Sequence, residues 1–196
     1  MRFVLGVDEA GRGPLAGPVA VGIVAVPERF HISREFPMLA DSKQMTPLGR
    51  ERLFKLMRTR MREGDLKFCV RFTSAARVDA WGISRAVASA TSRGVRQLAP
   101  DSEGVRIYLD GLLKAPEEYD QQTVIGGDEA VPVIALASIA AKVVRDRLMV
   151  RMAKLFPNYG FEIHKGYGTK LHYQALKEYG PCEIHRRSFL NLDRAS

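Results

Sequence analysis

The stretch from Val4 to Val19, VLGVDEAGRGPLAGPV, constrains this chain more than any other. Phe3-Val4-Leu5-Gly6-Val7 has the length and apolar content of a buried strand. It stops at two adjacent carboxylates, Asp8 and Glu9, and passes at once into a small-residue turn, Ala10-Gly11-Arg12-Gly13-Pro14. Acids at the end of a core strand are costly unless a cation meets them. Glycines beside them let a backbone come unusually close to a ligand. A strand that merely ends in a solvated acidic turn is the plainer account of an isolated Asp-Glu. With Gly-Arg-Gly directly behind the pair, the stretch points to a metal-and-phosphate site.

The rest of the chain supplies a sheet for that strand. Pro18 to Val26 is a second strand, close enough to pair with the first as a hairpin. Pro27 to Asp41 is irregular, and Thr46-Pro47 then opens a helix with a hydroxyl cap before a proline. Leu53, Phe54, Met57 and Met61 recur at helical spacing until Gly64. Leu66 to Phe72 is a third strand, and Asp79 to Leu98 a helix with the inner stripe Ile83, Ala86, Val87 and Ala90. Ile107 to Asp110 is a fourth strand and Thr123 to Ile125 a fifth. A long alanine-rich helix occupies Val133 to Leu155, Pro157 to Lys165 is loop, and Thr169 caps a helix that ends at Tyr179 before Gly180-Pro181. This order predicts an α/β fold, a mixed five-stranded sheet with helices on its faces.

At 196 residues this is one domain, or one with a small appendage. No apolar run approaches the roughly 20 residues that span a bilayer, and Asp8 and Glu9 interrupt the only apolar segment near the start. A cytoplasmic protein is expected, with Cys69 and Cys182 as free thiols. The net charge of +8 is uneven: Lys142 to Ser196 carries 11 Lys and Arg against 5 Asp and Glu, residues 1–141 carry 19 against 17. A basic final stretch suits a polyanionic partner as well as a solvated basic face.

Three of the five strands end in or near a carboxylate: Asp8 with Glu9, Asp110, and Asp128 beyond strand five. In an α/β sheet such ends gather at one edge, where ligands bind. Four converging carboxylates repel one another without cations, and two divalent ions would balance them. Oxygen donors without Cys or His spacing favour Mg²⁺ or Mn²⁺, a pair of which can activate water and stabilise the leaving oxygen of a phosphodiester. Taken singly, Asp110-Gly111 is also a turn and Asp128 a helix-dipole partner. Neighbouring strand residues point to opposite faces, so the strand is expected to end or bend if Asp8 and Glu9 share one centre.

The motifs Asp8-Glu9-Ala10-Gly11-Arg12-Gly13, Asp41-Ser42-Lys43, Leu109-Asp110-Gly111 and Gly126 with Asp128 occur in order. They are followed by Ala137-Ser138-Ile139-Ala140-Ala141-Lys142-Val143, Arg145-Asp146, His164-Lys165-Gly166-Tyr167 and His185-Arg186-Arg187-Ser188-Phe189. From Val7 to Phe189 the chain resembles bacterial ribonuclease HII, the type 2 ribonucleases H. That resemblance implies a ribonuclease H-like catalytic domain over residues 1–155 and a basic C-terminal helical extension over 156–196. It implies metal-dependent hydrolysis of RNA in RNA–DNA hybrids, and cutting 5′ to single ribonucleotides in duplex DNA to leave a 3′-hydroxyl and a 5′-phosphate. Asp8, Glu9, Asp110 and Asp128 match the family's catalytic, metal-holding carboxylates. Gly11, Arg12 and Gly13 match the loop that reads the 2′-hydroxyl, and Tyr167 the tyrosine that stacks beside the scissile junction. One departure is visible, Gly127 before Asp128.

The residues themselves suit those roles. A glycine turn offers N–H and C=O groups to a 2′-hydroxyl, which donates and accepts. Arg12 can take a phosphate bidentately, and Lys43 and Lys142 can hold phosphates. Tyr167, between two glycines, can press on a nucleotide or sit in the core. Asp146 fits either the metal site or an i,i+4 pair with Lys142. A monomer is expected. Two other readings compete: a non-catalytic hybrid-binding module, against which the carboxylate set argues, and a junction resolvase of the same fold, which leaves the glycine loop unexplained.

Overall fold

A computed structural model describes residues 2–39 and 45–190. Its centre is strand β1, Phe3–Ala10, paired antiparallel with β2, Val19–Pro27, and parallel with β4, Val105–Asp110. Strand β3, Lys67–Thr73, adds antiparallel to β2, and β5, Asp120–Val124, adds parallel to β4. The order β3-β2-β1-β4-β5 is the mixed five-stranded sheet expected from the sequence.

Alternation along β1 and β2 assigns the two faces. Leu5, Val7, Val21 and Ile23 pack on one side with Val78 of helix α3, Ala75–Trp81, and Ala86, Val87, Ala90 and Val95 of α4, Ile83–Leu98. (The short α1, Ile32–Glu35, and α2, Pro47–Glu63, precede these in the chain.) The helix expected over Asp79 to Leu98 is thus two helices. Gly82, at φ +78°, breaks them, and the apolar stripe passes across the break.

The opposite face holds Val24 and Val26 against Leu53, Phe54 and Met57 of α2 and the buried side of α6, Pro132–Leu155. A four-residue helix, α5, Gly127–Ala130, leads into α6. Two glycines set how closely α6 lies on the sheet. A Cβ on Gly6 would stand 2.2 Å from the Val133 carbonyl oxygen, and one on Gly22 2.2 Å from that of Ala137. The helix backbone therefore rests on the strand backbone directly over β1 and β2.

A third apolar cluster joins Leu15 and Ala16 to Met149 and Ala153 of α6, and to Tyr159, Phe161, Ala175 and Leu176. Where a plain loop is expected between Pro157 and Lys165, the chain forms a 3-10 turn, Pro157–Tyr159, and helix α7, Phe161–His164. Helix α8, Lys170–Tyr179, follows; the Thr169 hydroxyl caps it by accepting from the His172 amide. The end of the described chain is tied to α3, with Asp79 accepting from the amides of Arg187 and Ser188 at 2.8 and 3.0 Å. Among the described residues no helix is long and apolar enough to cross a membrane.

Candidate active site at the sheet edge

The parallel pairing of β1 with β4 runs from Phe3 opposite Val105 to Val7 opposite Leu109. The next step along both strands brings Asp8 level with Asp110. β5 ends at the same edge, and Gly126, Gly127 and Asp128 follow it. The acids of three separate sequence segments therefore stand along one sheet edge.

Asp8 is only 6% exposed and faces α6, where the Ser138 side chain hydrogen-bonds to it. Burial pushes its carboxyl up to about 7, and the charges of Glu9 and Asp110 add to the rise. The Ser138 bond and the Glu9 amide, which donates to Asp8 Oδ1 at 2.6 Å, act the other way without cancelling it. Asp110 Oδ1 accepts the Gly127 amide at 2.7 Å. The departure at Gly127 has a local reason, because a Cβ there would meet Ile134 Cδ1 at 2.5 Å and Asp110 Oδ1 at 3.4 Å. Asp128 lies on α5 beside a cavity of about 240 Å³ shared with Phe36, Pro37, Glu129 and Ala135.

One geometric expectation is corrected. β1 neither ends nor bends at Asp8: pairing with β2 continues through Glu9 opposite Val21 and Ala10 opposite Ala20. Glu9 accordingly points to the α4 face, away from Ser138. Its Oε1 accepts from Arg12 Nη1 at 3.0 Å, while Oε2 is buried without a hydrogen-bond partner among the described residues. Arg12 also reaches Ser84 Oγ at 3.5 Å. Its guanidinium is thus engaged with Glu9, yet its side chain remains about half exposed.

The donor chemistry fits a hard cation. Every candidate ligand is a carboxylate oxygen; burial beside other negative charges raises one carboxyl to about 7, and one buried oxygen meets no donor among the described residues. Asp8, Asp110 and Asp128 are the residues that could hold such an ion; Glu9, on the other face and paired with Arg12, could join them only by turning away from Arg12. As they stand, no group of three or more His, Cys, Asp or Glu side chains among the described residues is drawn together into a finished cage. Asp146 takes the other of its two expected places, paired with Lys142 at 2.9 Å.

The glycine turn is held from behind by two buried arginines. Arg186 donates from Nη2 to the Gly11 carbonyl at 2.6 Å, from Nη1 to that of Arg12 at 2.8 Å and from Nε to that of Gly17 at 3.0 Å. Arg145 donates from Nε to Pro18 at 2.9 Å, from Nη1 to Lys165 at 3.1 Å and from Nη2 to Ala16 at 3.3 Å. Burial lowers the pKa of both, that of Arg186 to about 10. Six carbonyls are thus fixed by two side chains. Gly11, at φ +85°, leaves room for this, since a Cβ would overlap Arg145 Nε at 1.9 Å. With the carbonyls of Gly11 and Arg12 occupied, the amides of Arg12 and Gly13 have no partner among the described residues. Both residues are exposed.

Tyr167 joins the same face. Gly166 approaches Ala16 so closely that a Cβ would meet its carbonyl oxygen at 2.3 Å, and the Gly166 carbonyl accepts from Leu15 N at 2.8 Å. The Tyr167 ring that follows is 40% exposed, so it is not a core tyrosine. It lies 5.7 Å from Lys142 Nζ and 5.8 Å from Arg145 Cζ. Lys43 lies outside the described residues.

The roles of Arg145 and Arg186 are not assigned by the motifs that contain them. A signal for Arg145 does exist in the sequence. Ala137, Ala141, Arg145, Met149 and Ala153 recur every four residues, and all are buried. A cation on that stripe must find acceptors inside the protein. Arg186, in irregular backbone after Cys182, carries no comparable pattern.

Comparison with known proteins agrees with this architecture. The family model described as Ribonuclease HII matches residues 5–192. Ribonuclease HII of Endomicrobium trichonymphae is 44% identical over 188 residues, covering 95% of this chain and 84% of that protein. Ribonuclease HII of Burkholderia thailandensis is 43% identical, covering 96% and 83%. The crystal structure of ribonuclease H2 from Pyrococcus horikoshii superposes with a TM-score of 0.77 at 25% identity, covering 98% of this chain and 96% of that one. With candidate acids gathered at one sheet edge and a match running nearly end to end, the chain belongs to the ribonuclease HII family and is a ribonuclease H endonuclease.

Proposed function

We propose that this chain hydrolyses the RNA strand of RNA–DNA hybrids and cuts duplex DNA 5′ to a single embedded ribonucleotide, leaving a 3′-hydroxyl and a 5′-phosphate. The observation that carries this reading is the register that sets Asp8 level with Asp110 at the edge from which the Gly11–Gly13 turn departs. An acid pair beside a backbone turn joins phosphodiester chemistry to a detector for one hydroxyl.

Asp8, Glu9, Asp110 and Asp128 would hold two divalent ions, Mg²⁺ or Mn²⁺, which when bound supply water activation and relief of charge on the leaving oxygen. The chain's own groups do the rest. Ser138 fixes the Asp8 carboxyl. Gly127 fixes Asp110 through its amide. The amides of Arg12 and Gly13, which no described residue occupies, donate to the 2′-hydroxyl oxygen, which deoxyribose lacks. Arg12 and Lys43 neutralise phosphates, and the exposed ring of Tyr167 presses against the junction nucleotide. In this reading residues 1–155 carry the chemistry and 156–196 form a basic extension that adds affinity. One chain supplies every group named, so a monomer suffices.

The test is cleavage with Mg²⁺ of three labelled duplexes: one with a single ribonucleotide, one a long hybrid, one all DNA. Cutting of the first two only, with a 5′ incision at the ribonucleotide, is the expected result. Comparable cutting of the all-DNA duplex would point to a junction-type nuclease, and tight binding without any cutting to a binding module.

A further inference from the structure

Three buried histidines sit behind the exposed Tyr167, and the proposed catalysis uses none of them. His164, His172 and His185 are 7%, 0% and 2% exposed. His164 stacks on His172 with ring centroids 4.4 Å apart. Their hydrogen bonds form a directed chain whose two ends are backbone groups.

The Cys182 amide can only donate, and it reaches His185 Nδ1 at 2.9 Å. That nitrogen therefore bears a lone pair, and in a neutral ring the proton of His185 is on Nε2. His185 Nε2 faces His172 Nε2 at 3.0 Å, so the latter must accept. The proton of His172 is then on Nδ1, 2.9 Å from the Tyr167 carbonyl oxygen, which can only accept. The reverse assignment has a start, since His185 Nδ1 also lies 3.3 Å from the Cys182 carbonyl and 3.1 Å from Sγ. It would end with a bare His172 Nδ1 against the Tyr167 oxygen, two lone pairs at 2.9 Å. Only one arrangement satisfies both ends. His164 fits it too: the Gly166 amide donates to its Nδ1 at 3.1 Å, leaving Nε2–H for the Tyr159 carbonyl at 2.7 Å.

We propose that His172 and His185 are positioning residues, a hydrogen-bonded relay from the Cys182 turn that fixes the Tyr167 backbone and so the place of its ring beside the Gly11–Gly13 turn. The local backbone needs such a restraint. Lys165, at φ +54°, is the one non-glycine residue at positive φ among the described residues, and Gly166 follows at +88°. The Tyr167 carbonyl receives a second bond from Thr169 N at 2.8 Å, so it is clamped from two directions. The Tyr167 ring is left half in solvent, beside Lys142 and Arg145, and is placed from its backbone side.

This proposal rests on the reading that Tyr167 aligns the substrate, and the test separates the two. Single-turnover and steady-state cleavage of the single-ribonucleotide duplex is measured for the parent, His172→Leu, His172→Asn, Tyr167→Ala and the double variant His172→Leu/Tyr167→Ala. Asn offers an N–H near the position of Nδ1; Leu offers none. A 1 Å misplacement of reacting groups costs about 100-fold, so a partial loss of about 10-fold in kcat is expected for His172→Leu, with KM within about 2-fold. His172→Asn should recover most of it. In the Tyr167→Ala background the Leu substitution should cost nothing further, because the relay has lost its target. Multiplicative losses in the double variant would overturn the relay while leaving the Tyr167 reading intact. An unimpaired Tyr167→Ala would overturn both. Independently of activity, ¹⁵N imidazole shifts of the free protein should show His172 protonated at Nδ1 and His185 at Nε2; the opposite tautomers would refute the relay even if the variants failed to fold.

Discussion

The guanidinium of Arg186 donates to the carbonyl of Gly11 at 2.6 Å, joining residues 175 positions apart. The turn that follows the first strand is therefore completed by the last described segment of the chain. Arg186→Met removes donors from three carbonyls, those of Gly11, Arg12 and Gly17. At about 1 kcal/mol per lost bond the cost is about 3 kcal/mol, a fall of about 10 °C in Tm for a chain of this size. Cutting at a single ribonucleotide should suffer more than cutting of a long hybrid, since only one hydroxyl is there to be read. Thermal melting beside the two cleavage rates checks both statements.

Asp110→Asn should abolish cleavage and leave binding largely intact. The amide oxygen can still accept from Gly127 N, so the strand end keeps its shape. What disappears is one negative charge at the edge shared with Asp8. Turnover within a few-fold of the parent, with folding unchanged by circular dichroism, would remove Asp110 from the catalytic set.

Replacing Mg²⁺ by Ca²⁺ should preserve substrate binding and suppress cutting. Ca²⁺ takes more oxygens at about 2.3–2.6 Å, against about 2.0–2.1 Å for Mg²⁺, so water and phosphate around it would be misplaced. Equal rates with the two ions, or full activity in excess chelator, would contradict the arrangement.

Acid should destabilise the protein through the histidine relay. Burial pushes His172 and His185 down to about 4 in the folded chain, whereas in the unfolded chain they titrate near about 6.5. Between these values the unfolded state binds two protons that the folded state refuses, so their contribution to stability is intact above about 6.5 and declines toward about 4. Asp8, with its raised carboxyl, works in the opposite sense below about 7. The effect is therefore read as a difference: urea midpoints of the parent should fall more steeply from pH 7 to 5 than those of His172→Asn/His185→Gln. Parallel slopes would show that the folded rings take up protons as readily as the unfolded ones.

Salt should weaken substrate binding linearly in a log–log plot, and Lys165→Gln/Lys170→Gln/Lys177→Gln should flatten the line by about 1 to 3 units of slope. Lys170 and Lys177 are exposed on α8, and Lys165 lines a 600 Å³ groove with Arg50, Arg147 and Arg151. An unchanged slope would place the duplex on another face.

The sequence made the strands, caps and long helices legible because apolar period and punctuation agree there. Thr46 and Thr169 cap their helices as expected, and Gly64 ends α2 in the left-handed region. β5 was harder to read. Its residues Asp120-Gln121-Gln122-Thr123-Val124 lie at the sheet edge and are mostly polar, so hydrophobic pattern locates only its end. The break at Gly82 is hidden because the buried stripe resumes at once with Ala86 and Val87. In the site, Asp8 and Asp110 follow from strand-end arithmetic. The opposing faces of Asp8 and Glu9 are set by a strand running three residues past its apolar part. Five of the six carbonyls that Arg145 and Arg186 hold lie more than 120 residues away, a relation that spacing along the chain does not record.

Helix α6 gives these separate centres a common ruler. Because Gly6 and Gly22 let its backbone rest on the sheet, the helix has no cushion of side chains there to absorb a shift. Ser138 meets Asp8 from it, and seven residues on, Arg145 meets the turn and the underside of Tyr167. At about 1.5 Å per residue, the points where the helix meets the acid edge and the glycine turn are about 10 Å apart along one rod. That interval comes only in whole residues: inserting one between Ser138 and Arg145 would advance the arginine by about 1.5 Å and swing it about 100° around the axis. Side-chain exchange can tune either centre alone, but the reach between them is counted out by the helix, so lineages of this fold should keep the Ser138-to-Arg145 interval free of insertions and deletions.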